Sequence, residues 1–537
     1  MKYSWRTTIP AETPAADAEP LRVLVLSIDC TDDASRTPML APAFLVAHAR
    51  TSPVVRSKVE FDIEQFSALE PVEGMIERIL EKDYDLIGFS CYVWNYEVCA
   101  QLIPILKRLR PRAKLVMGGP QILGQEMAIL DRFPELDFLV YRDGEVPFAE
   151  IVERMALGNN DWLAVGGILF REGSGVHDTL PKKLPVKFAD IASPYLEGVI
   201  TGRHRNLYLE TYRGCPYTCA FCAWGGDEGP KSDLLPLDRI RRELELMRNM
   251  GADMLGFFDS NFNQPPSRAE AIFDMILDIP QFQIIGMSIF AQTLREELAI
   301  KMSQRRTMIG VGLQSSDPGV NAVMRRRFRD HKMNEGLRLL KKYAKQFVIQ
   351  IIVGLPGDSY QSIASTLECA LSFEPPAIDA FRLMVLPGTE YRQRADEFQL
   401  VYEPNGYHYV ISHYTMTLQQ INRAERMAQA LTVFYNLEET RQEMFRQAAE
   451  SGESIVSYCD AIGTFIEDFS LLDRNELRKG DIIRTKEKSQ LLKILQDFSR
   501  FRAELSVHLA RESVIGRREA NQYTYIPVLQ DAPPASE

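Results

Sequence analysis

Twice along this 537-residue chain, short apolar runs alternate with helically spaced stretches, and no other feature limits the possible folds as strongly. The first series opens with LRVLVLSID at 21–29, an apolar run that reads as a buried strand. It continues through the strand patterns KVEFDIEQF, YDLIGFSCY, AKLVMGGP and LDFLVYRDGE, with helical spacing between and after them. Strand and helix alternating through short loops predict a parallel sheet wrapped by helices, here over 21–160. Residues 161–205 read as a linker containing one strand-and-turn segment, GGILFREGSGVH. A second series begins at RNLYLETYRG, with strands expected at 206–212, 253–259, 284–290, 307–313, 347–353 and 378–386. Helices are expected at 236–250, 267–277, 292–304, 331–344 and 359–373. Six consecutive βα units over 206–415 predict a full or partial (β/α) barrel. From 416 the pattern turns helical and charged, which predicts an α-helical C-terminal domain over 416–537 with a disordered end. Residues 1–20, rich in Ala, Pro and Glu, read as a disordered lead-in.

Composition removes several function classes. A net charge of −11 argues against a sequence-blind nucleic-acid binder, which needs a basic face. No apolar run approaches the length of a membrane span, and the first 20 residues lack the apolar stretch of a signal peptide. Five of the eight cysteines, Cys30, Cys91, Cys99, Cys369 and Cys459, are scattered. That is no disulfide framework, and it fits a reducing cytoplasm.

The other three cysteines fall within ETYRGCPYTCAFCAWGG, Glu210 to Gly226, as Cys215, Cys219 and Cys222. Thiolates are soft ligands, suited to zinc, copper(I) or iron–sulfur. A structural zinc site takes four ligands, yet the nearest later cysteine is the distant Cys369 and the closest histidine, His204, lies in the linker. Three cysteines on a 4Fe–4S cluster leave one iron open to chelate a substrate or cofactor. Coming straight after a strand expected to end at Tyr212, the triad falls at the carboxyl mouth of a barrel, where active sites lie. Zinc binding and a non-catalytic iron–sulfur sensor remain alternatives at this point.

RGCPYTCAFC resembles the signature of the radical S-adenosylmethionine (SAM) enzymes, down to the aromatic Phe221 before the third cysteine. The resemblance implies that Cys215, Cys219 and Cys222 hold a 4Fe–4S cluster whose fourth iron chelates SAM, the source of a 5′-deoxyadenosyl radical. It implies SAM contacts from Asp259, Ser260 and Asn261 in GFFDSNFN, and from Ser288 in SIFAQTL. Gln314 and Arg326 in IGVGLQSSDPGVNAVMRRR, and Gln350 in QIIVGLPGDS, complete that set. Each has a plainer reading, since polar residues at strand ends are often turn or cap residues and Arg325–Arg327 also suits a solvated face.

The first domain carries no dinucleotide or P-loop fingerprint. Its strand-end glycines let a ligand approach backbone at the carboxyl edge of the sheet. GFSCY, MGGP and RDGE resemble the cobalamin-binding domain that precedes the barrel in one radical SAM subfamily. On this resemblance Gly88, Ser90, Tyr92, Gly118, Gly119, Pro120, Gly144 and Glu145 line a cobalamin site. The D-x-H-x-x-G motif that gives cobalt an axial imidazole elsewhere is absent; the first loop reads DCTDDASR. The expected architecture is therefore a Rossmann-like doubly wound cobalamin domain, a partial (β/α)6 barrel and a helical tail. The implied activity is methyl transfer from SAM, through cobalamin, to an unactivated carbon or phosphorus of a small molecule or peptide. Cyclisation or rearrangement without methylation is the alternative. An external low-potential donor of flavodoxin or ferredoxin type would supply electrons. Tyr407, His408, His413 and Tyr414 stand near the barrel's end as candidate acid–base groups, or as packing.

Overall fold

The computed structural model describes residues 5–12, 19–30, 38–173, 175–179, 187–225, 231–472 and 488–515. The far end of the tail, half of the lead-in, the first loop after Asp29 and part of the linker lie outside the described residues. The chain divides into two compact units, Met1–Thr432 and Val433–Glu537.

In the first unit, the amino-terminal sheet has eight strands: β1 (Trp5–Ile9), β2 (Leu21–Asp29), β3 (Val59–Ser67), β4 (Leu86–Ser90), β5 (Lys114–Gly118), β6 (Phe138–Val140), β7 (Ile168–Glu172) and β8 (Gly175–Asp178). Their order is β1-β3-β2-β4-β5-β6-β7-β8, with β3, β2, β4, β5 and β6 mutually parallel. The parallel strands thus follow the flavodoxin-like order 2-1-3-4-5, and the chain reverses its winding between β2 and β4. Val23 to Ile28 are all buried, because helices cover both faces of a parallel sheet.

Two expectations are corrected here. Trp5–Ile9, read as lead-in, is an antiparallel edge strand on β3. The pattern WRTTI is too short and polar to announce a strand; the buried Glu64 of β3, which pairs with both Arg6 and Arg78, holds it there. The segment read as part of the linker, β7 and β8, is a hairpin that extends the same sheet beyond β6. The amino-terminal sheet therefore runs to Asp178 rather than ending near residue 160.

The second sheet contains β9 (Asn206–Leu209), β12 (Met254–Phe257), β13 (Gln283–Ile289), β14 (Thr307–Gln314), β15 (Gln346–Val353) and β16 (Ala377–Arg382). They pair in consecutive order, all parallel, and β16 does not close onto β9, so the barrel is partial. Its helices lie where the spacing places them, for example Leu237–Asn249, Asp330–Tyr343 and Tyr360–Ser372. Along β14 the side chains of Ile309, Val311 and Leu313 are buried against the helices, while Gly310, Gly312 and Gln314 face the barrel interior. The strand expected over 206–212 stops at Leu209. Beyond it, β10 (Tyr212–Cys215) and β11 (Lys231–Leu234) form an antiparallel hairpin of their own, an element that the apolar pattern does not signal. The second unit is helical, with Glu438–Ser451, Ile455–Asp468 and Lys488–Ile515 packed through Tyr458, Phe465, Phe498 and Phe501.

Candidate active site

The cysteine triad occupies the end of β10 and the loop beyond it. Cys215 is buried, and Cys219 and Cys222 are partly buried. Burial pushes the Cys219 thiol up and the Cys222 thiol up to about 12. The loop is tied at its middle residue: Ala220 N–H donates to the Met324 carbonyl (3.0 Å), and Tyr391 N–H donates to the Ala220 carbonyl (2.9 Å). Among the described residues no three His, Cys, Asp or Glu side chains converge on one metal-ion position. Thiolates without a fourth protein ligand suit an iron–sulfur cluster with an open iron.

The segment after β12 buttresses this hairpin. Asn261 Nδ2 donates to Cys215 Sγ (3.5 Å), and Ser260 Oγ donates to the Gly214 carbonyl (2.7 Å). Asp259, expected as a SAM contact, is bonded to the protein itself. Its carboxylate accepts from Thr211 N (2.6 Å) and Thr211 Oγ1 (2.5 Å), at full burial, and so anchors the start of the hairpin. Desolvation raises this carboxyl to about 6 despite those bonds.

Gln314 and Arg326 do come together. Arg326 Nη2 donates to the Gly312 carbonyl, and its guanidinium lies 4.8 Å from the Phe290 ring centre. Gln314 has φ +67, an unusual value for a non-glycine residue, and sits at the end of β14. A Cβ on Gly312 would lie 2.5 Å from Gln314 Nε2, so glycine keeps this wall open. Gln314 Oε1 and Arg326 Nε are buried without a hydrogen-bond partner, and buried polar atoms of this kind await one. Gln350 lies beside Gly310, in register with Gly312, and Ser288 stands exposed in register with Gly310.

At the carboxyl edge of the first sheet, the winding reversal is built by the loop after β4. Trp94 Nε1 and Asn95 Nδ2 both donate to the Ile28 carbonyl (3.1 Å each), and Asn95 also holds the Ser90 carbonyl and the Tyr92 N–H. Tyr92 and Trp94 stack at 4.4 Å. Gly119 has φ +114, and a Cβ there would lie 2.3 Å from the Cys91 carbonyl oxygen. Cys91 N–H donates to the Gly118 carbonyl (2.8 Å), so the β4 and β5 loops meet backbone to backbone. Gly88, expected at the edge, instead lies inside β4 against Phe148 and Val116. Gly144 precedes the helix Glu145–Ala156 and packs on Leu45.

Glu145, expected to line the cofactor site, also has a protein partner. It accepts from Arg213 (2.7 Å), which further pairs with Glu210 (3.2 Å) and Asp143 (3.6 Å) and lies 4.3 Å from the Phe188 ring centre. Arg213 is two residues before Cys215, so one guanidinium joins the cysteine hairpin to the first domain's RDGE loop. Burial raises Glu210 to about 7, against the pull of Arg213. A second seam joins the same two domains: Gln121 Nε2 lies 2.8 Å from His408 Nε2, and Gly388 packs on Leu123. His408 is thus a joint rather than a free acid–base group; His413 is buried, its pKa lowered by desolvation to about 4. Arg213, Glu210, Asn95 and Gln121 were not singled out from sequence. Only the position of Arg213 beside the triad signalled any of them.

Comparison with known proteins agrees with this assembly. Residues 209–370 match the model of the radical SAM superfamily, and residues 56–152 match that of the B12 binding domain. The cobalamin-dependent radical SAM methyltransferase TokK of Streptomyces tokunonensis is 26% identical over 413 residues, 68% of this chain and 60% of that protein. A 2-(S-pantetheinyl)-carbapenam-3-carboxylate methyltransferase of Streptantibioticus cattleyicolor is 29% identical over 358 residues, 61% of this chain and 51% of that protein. The chain thus spans less than two thirds of the length of either relative. The structure of the cobalamin-dependent SAM radical enzyme OxsB, with aqua-cobalamin and SAM bound, superposes with a TM-score of 0.59 at 13% identity, covering 94% of this chain and 82% of that one. That likeness shows a shared fold. No helix among the described residues is long and apolar enough to cross a membrane.

Proposed function

Because the chain joins a B12-binding domain to a radical SAM domain, and so is a cobalamin-dependent radical SAM enzyme, we propose that it methylates an unactivated carbon, or a phosphorus, of a small-molecule or peptide intermediate. One observation carries the reading: the arginine two residues before the first cysteine of the triad is locked to the loop that ends β6 of the corrin domain. That lock sets the carboxyl edge of the first sheet against the barrel mouth.

Cys215, Cys219 and Cys222 would hold the 4Fe–4S cluster, with Asn261 donating to the Cys215 sulfur and limiting its charge. Gln314 and Arg326, each with an unpartnered buried atom, would bind SAM, Arg326 facing its carboxylate. Gly310 and Gly312 leave the interior of the barrel open beside Ser288 and Gln350. The Tyr92–Trp94 loop and the Gly118–Gly119 turn would receive the corrin at the winding reversal. The two histidines of the first domain are engaged elsewhere: His48 Nδ1 faces Ala192 N–H (3.4 Å) and His177 stacks on Phe170. Neither would be placed to serve a corrin bound there. When bound, the cluster and SAM supply a carbon radical by one-electron reduction, and the corrin supplies a transferable methyl group. The protein's part is to hold the reacting groups in reach and exclude water. A reducing cytoplasm and a low-potential electron donor complete the setting.

The test is anaerobic reconstitution with iron, sulfide and hydroxocobalamin, followed by assay with SAM and a reductant. Formation of both 5′-deoxyadenosine and S-adenosylhomocysteine, and a product heavier by one methyl group, is the expected result. An unmethylated product would instead assign cyclisation or rearrangement, and failure to cleave SAM would assign a sensor.

A further inference from the structure

Asn263, the last residue of GFFDSNFN, is fully buried, and its side chain is bonded chiefly to one backbone position. Its Nδ2 donates to the Phe290 carbonyl (2.9 Å), and its Oδ1 accepts from the Phe290 N–H (2.9 Å). Nδ2 also donates to Thr293 Oγ1 (3.1 Å), whose hydroxyl donates to the same Phe290 carbonyl (3.0 Å). Phe290 lies one residue past the end of β13, where the register with β14 has stopped. A side-chain amide thus supplies the backbone partner that the sheet no longer offers.

Satisfying one backbone position would be a purely structural task if the Phe290 ring carried nothing. It carries two parts of the site. The Arg326 guanidinium lies 4.8 Å from the ring centre, and the Tyr217 ring meets it edge-on at 4.8 Å and 67°. Tyr217 stands between Cys215 and Cys219, and Gln264 Nε2 donates to both its hydroxyl (3.4 Å) and Thr293 Oγ1 (2.7 Å). The charge of Arg326 is felt at Cys219 and Cys222. Arg326 Nη2 is fixed on the Gly312 carbonyl, while its Nε is buried without a partner. A hydrogen bond at one nitrogen leaves a guanidinium free to swing about it; an aromatic face fixes its plane. The direction in which the unpartnered edge points therefore depends on where the Phe290 ring lies, and Asn263 decides that.

We propose that Asn263 is a positioning residue for SAM: by clamping Phe290 it sets the plane of the Arg326 guanidinium, and with it the edge offered to the SAM carboxylate. The proposal rests on the reading that Arg326 meets that carboxylate. It goes beyond that reading by assigning the tightness of SAM binding to a buried amide that acts through a neighbouring ring. The residue type follows from the geometry. An aspartate would lack the donors for the Phe290 carbonyl and Thr293, and a leucine would leave the Phe290 N–H unpaired.

The experiment uses the full chain reconstituted with iron and sulfide. Affinity for SAM is measured by equilibrium dialysis, and by the change that SAM makes in the electron paramagnetic resonance spectrum of the reduced cluster. The variants are Asn263→Ala, Phe290→Leu, Arg326→Gln and the double variant Asn263→Ala/Arg326→Gln, each with its iron content. Asn263→Ala is expected to keep its iron and to bind SAM about tenfold more weakly, and Phe290→Leu to move in the same direction. The double variant should bind SAM no more weakly than Arg326→Gln alone, because a contribution that passes through Arg326 cannot be lost twice. Wild-type affinity in Asn263→Ala overturns the proposal, and so does a double variant in which the two losses multiply. Loss of iron from Asn263→Ala overturns it as well, since the residue would then support the cluster itself. If Asn263→Ala does not fold, Phe290→Leu and Arg326→Gln give the same cycle, with the same two outcomes. Wild-type affinity in Arg326→Gln is the separate result that refutes the assignment of Arg326 to the SAM carboxylate, and the proposal falls with it.

Discussion

A methyl group on Gly119 would meet the Cys91 carbonyl oxygen at 2.3 Å, with the backbone at φ +114. Neither the contact nor the dihedral has room to relax, because Cys91 N–H is bonded to the Gly118 carbonyl. Gly119→Ala should therefore destabilise the first domain by about 2–4 kcal/mol and abolish corrin retention, as read by urea unfolding and bound corrin after desalting. Gly88 shows the contrast, because a Cβ there would make only ordinary contacts at 3.6 Å or more. Both glycines belong to the same resemblance, and sequence could not rank them. Asp259 and Glu145 teach the same lesson. Each is a polar residue at a strand end or helix start, as a ligand-binding residue would be, and each is committed to a protein partner. Asp358 gives a pH test at this scale. Burial raises its carboxyl from 3.8 to about 7, while it accepts from Leu355 N–H and Ser362 Oγ. The folded state keeps a proton that the unfolded chain has lost, so this contribution to stability is full below pH 3.8 and gone above about 7. Asp358→Asn should flatten the fall in melting temperature over that window.

Among the elements, the hairpin β10–β11 does most to assemble the site. Strand periodicity pointed to one strand through Tyr212, but the chain leaves the sheet at Leu209 and turns into the hairpin. The turn is made by Asp259, which takes the Thr211 N–H and hydroxyl that a longer β9 would have used. The hairpin carries Arg213 to the helix Glu145–Ala156, where Asp143, Glu145 and Glu210 surround one guanidinium. Removing that charge leaves buried acids without a partner, a loss of about 3–5 kcal/mol for a buried pair. Arg213→Met should raise hydrogen exchange in both the Glu145–Ala156 helix and the hairpin. It should also lower S-adenosylhomocysteine formation at least tenfold while leaving dithionite-driven 5′-deoxyadenosine within about twofold. Arg213→Lys, which keeps the charge without the fork, should recover part of the loss. Equal falls in both products would show a general folding defect rather than a positioning role.

At the scale of the whole molecule, two seams join the first domain to the barrel: Arg213 with its three acids, and Gln121 and Leu123 against His408 and Gly388. The winding reversal of the sheet lies beside them, between β2 and β4, and the two histidines of the first domain are engaged elsewhere. Cob(II)alamin bound here should show an electron paramagnetic resonance spectrum without nitrogen superhyperfine splitting, unchanged in His48→Ala or His177→Ala. A nitrogen-split spectrum that is lost in His48→Ala or His177→Ala would mean that a protein imidazole reaches cobalt; one that survives both would come from cobalamin's own dimethylbenzimidazole. The two series of βα units, the barrel strands to within a few residues, and the closely spaced cysteine triad were all legible along the chain. Those features are local: apolar period, loop length and ligand spacing are all carried by neighbouring residues. Packing alone fixes that Trp5–Ile9 and the Ile168–Asp178 hairpin belong to the first sheet, that Asp259 and Glu145 hold protein partners, and that Arg213 clamps the domains. In each of these, partners tens of residues apart in sequence meet at a buried position. Whether a carboxylate there binds a ligand or another side chain depends on which group fills the space beside it, and sequence spacing does not encode that.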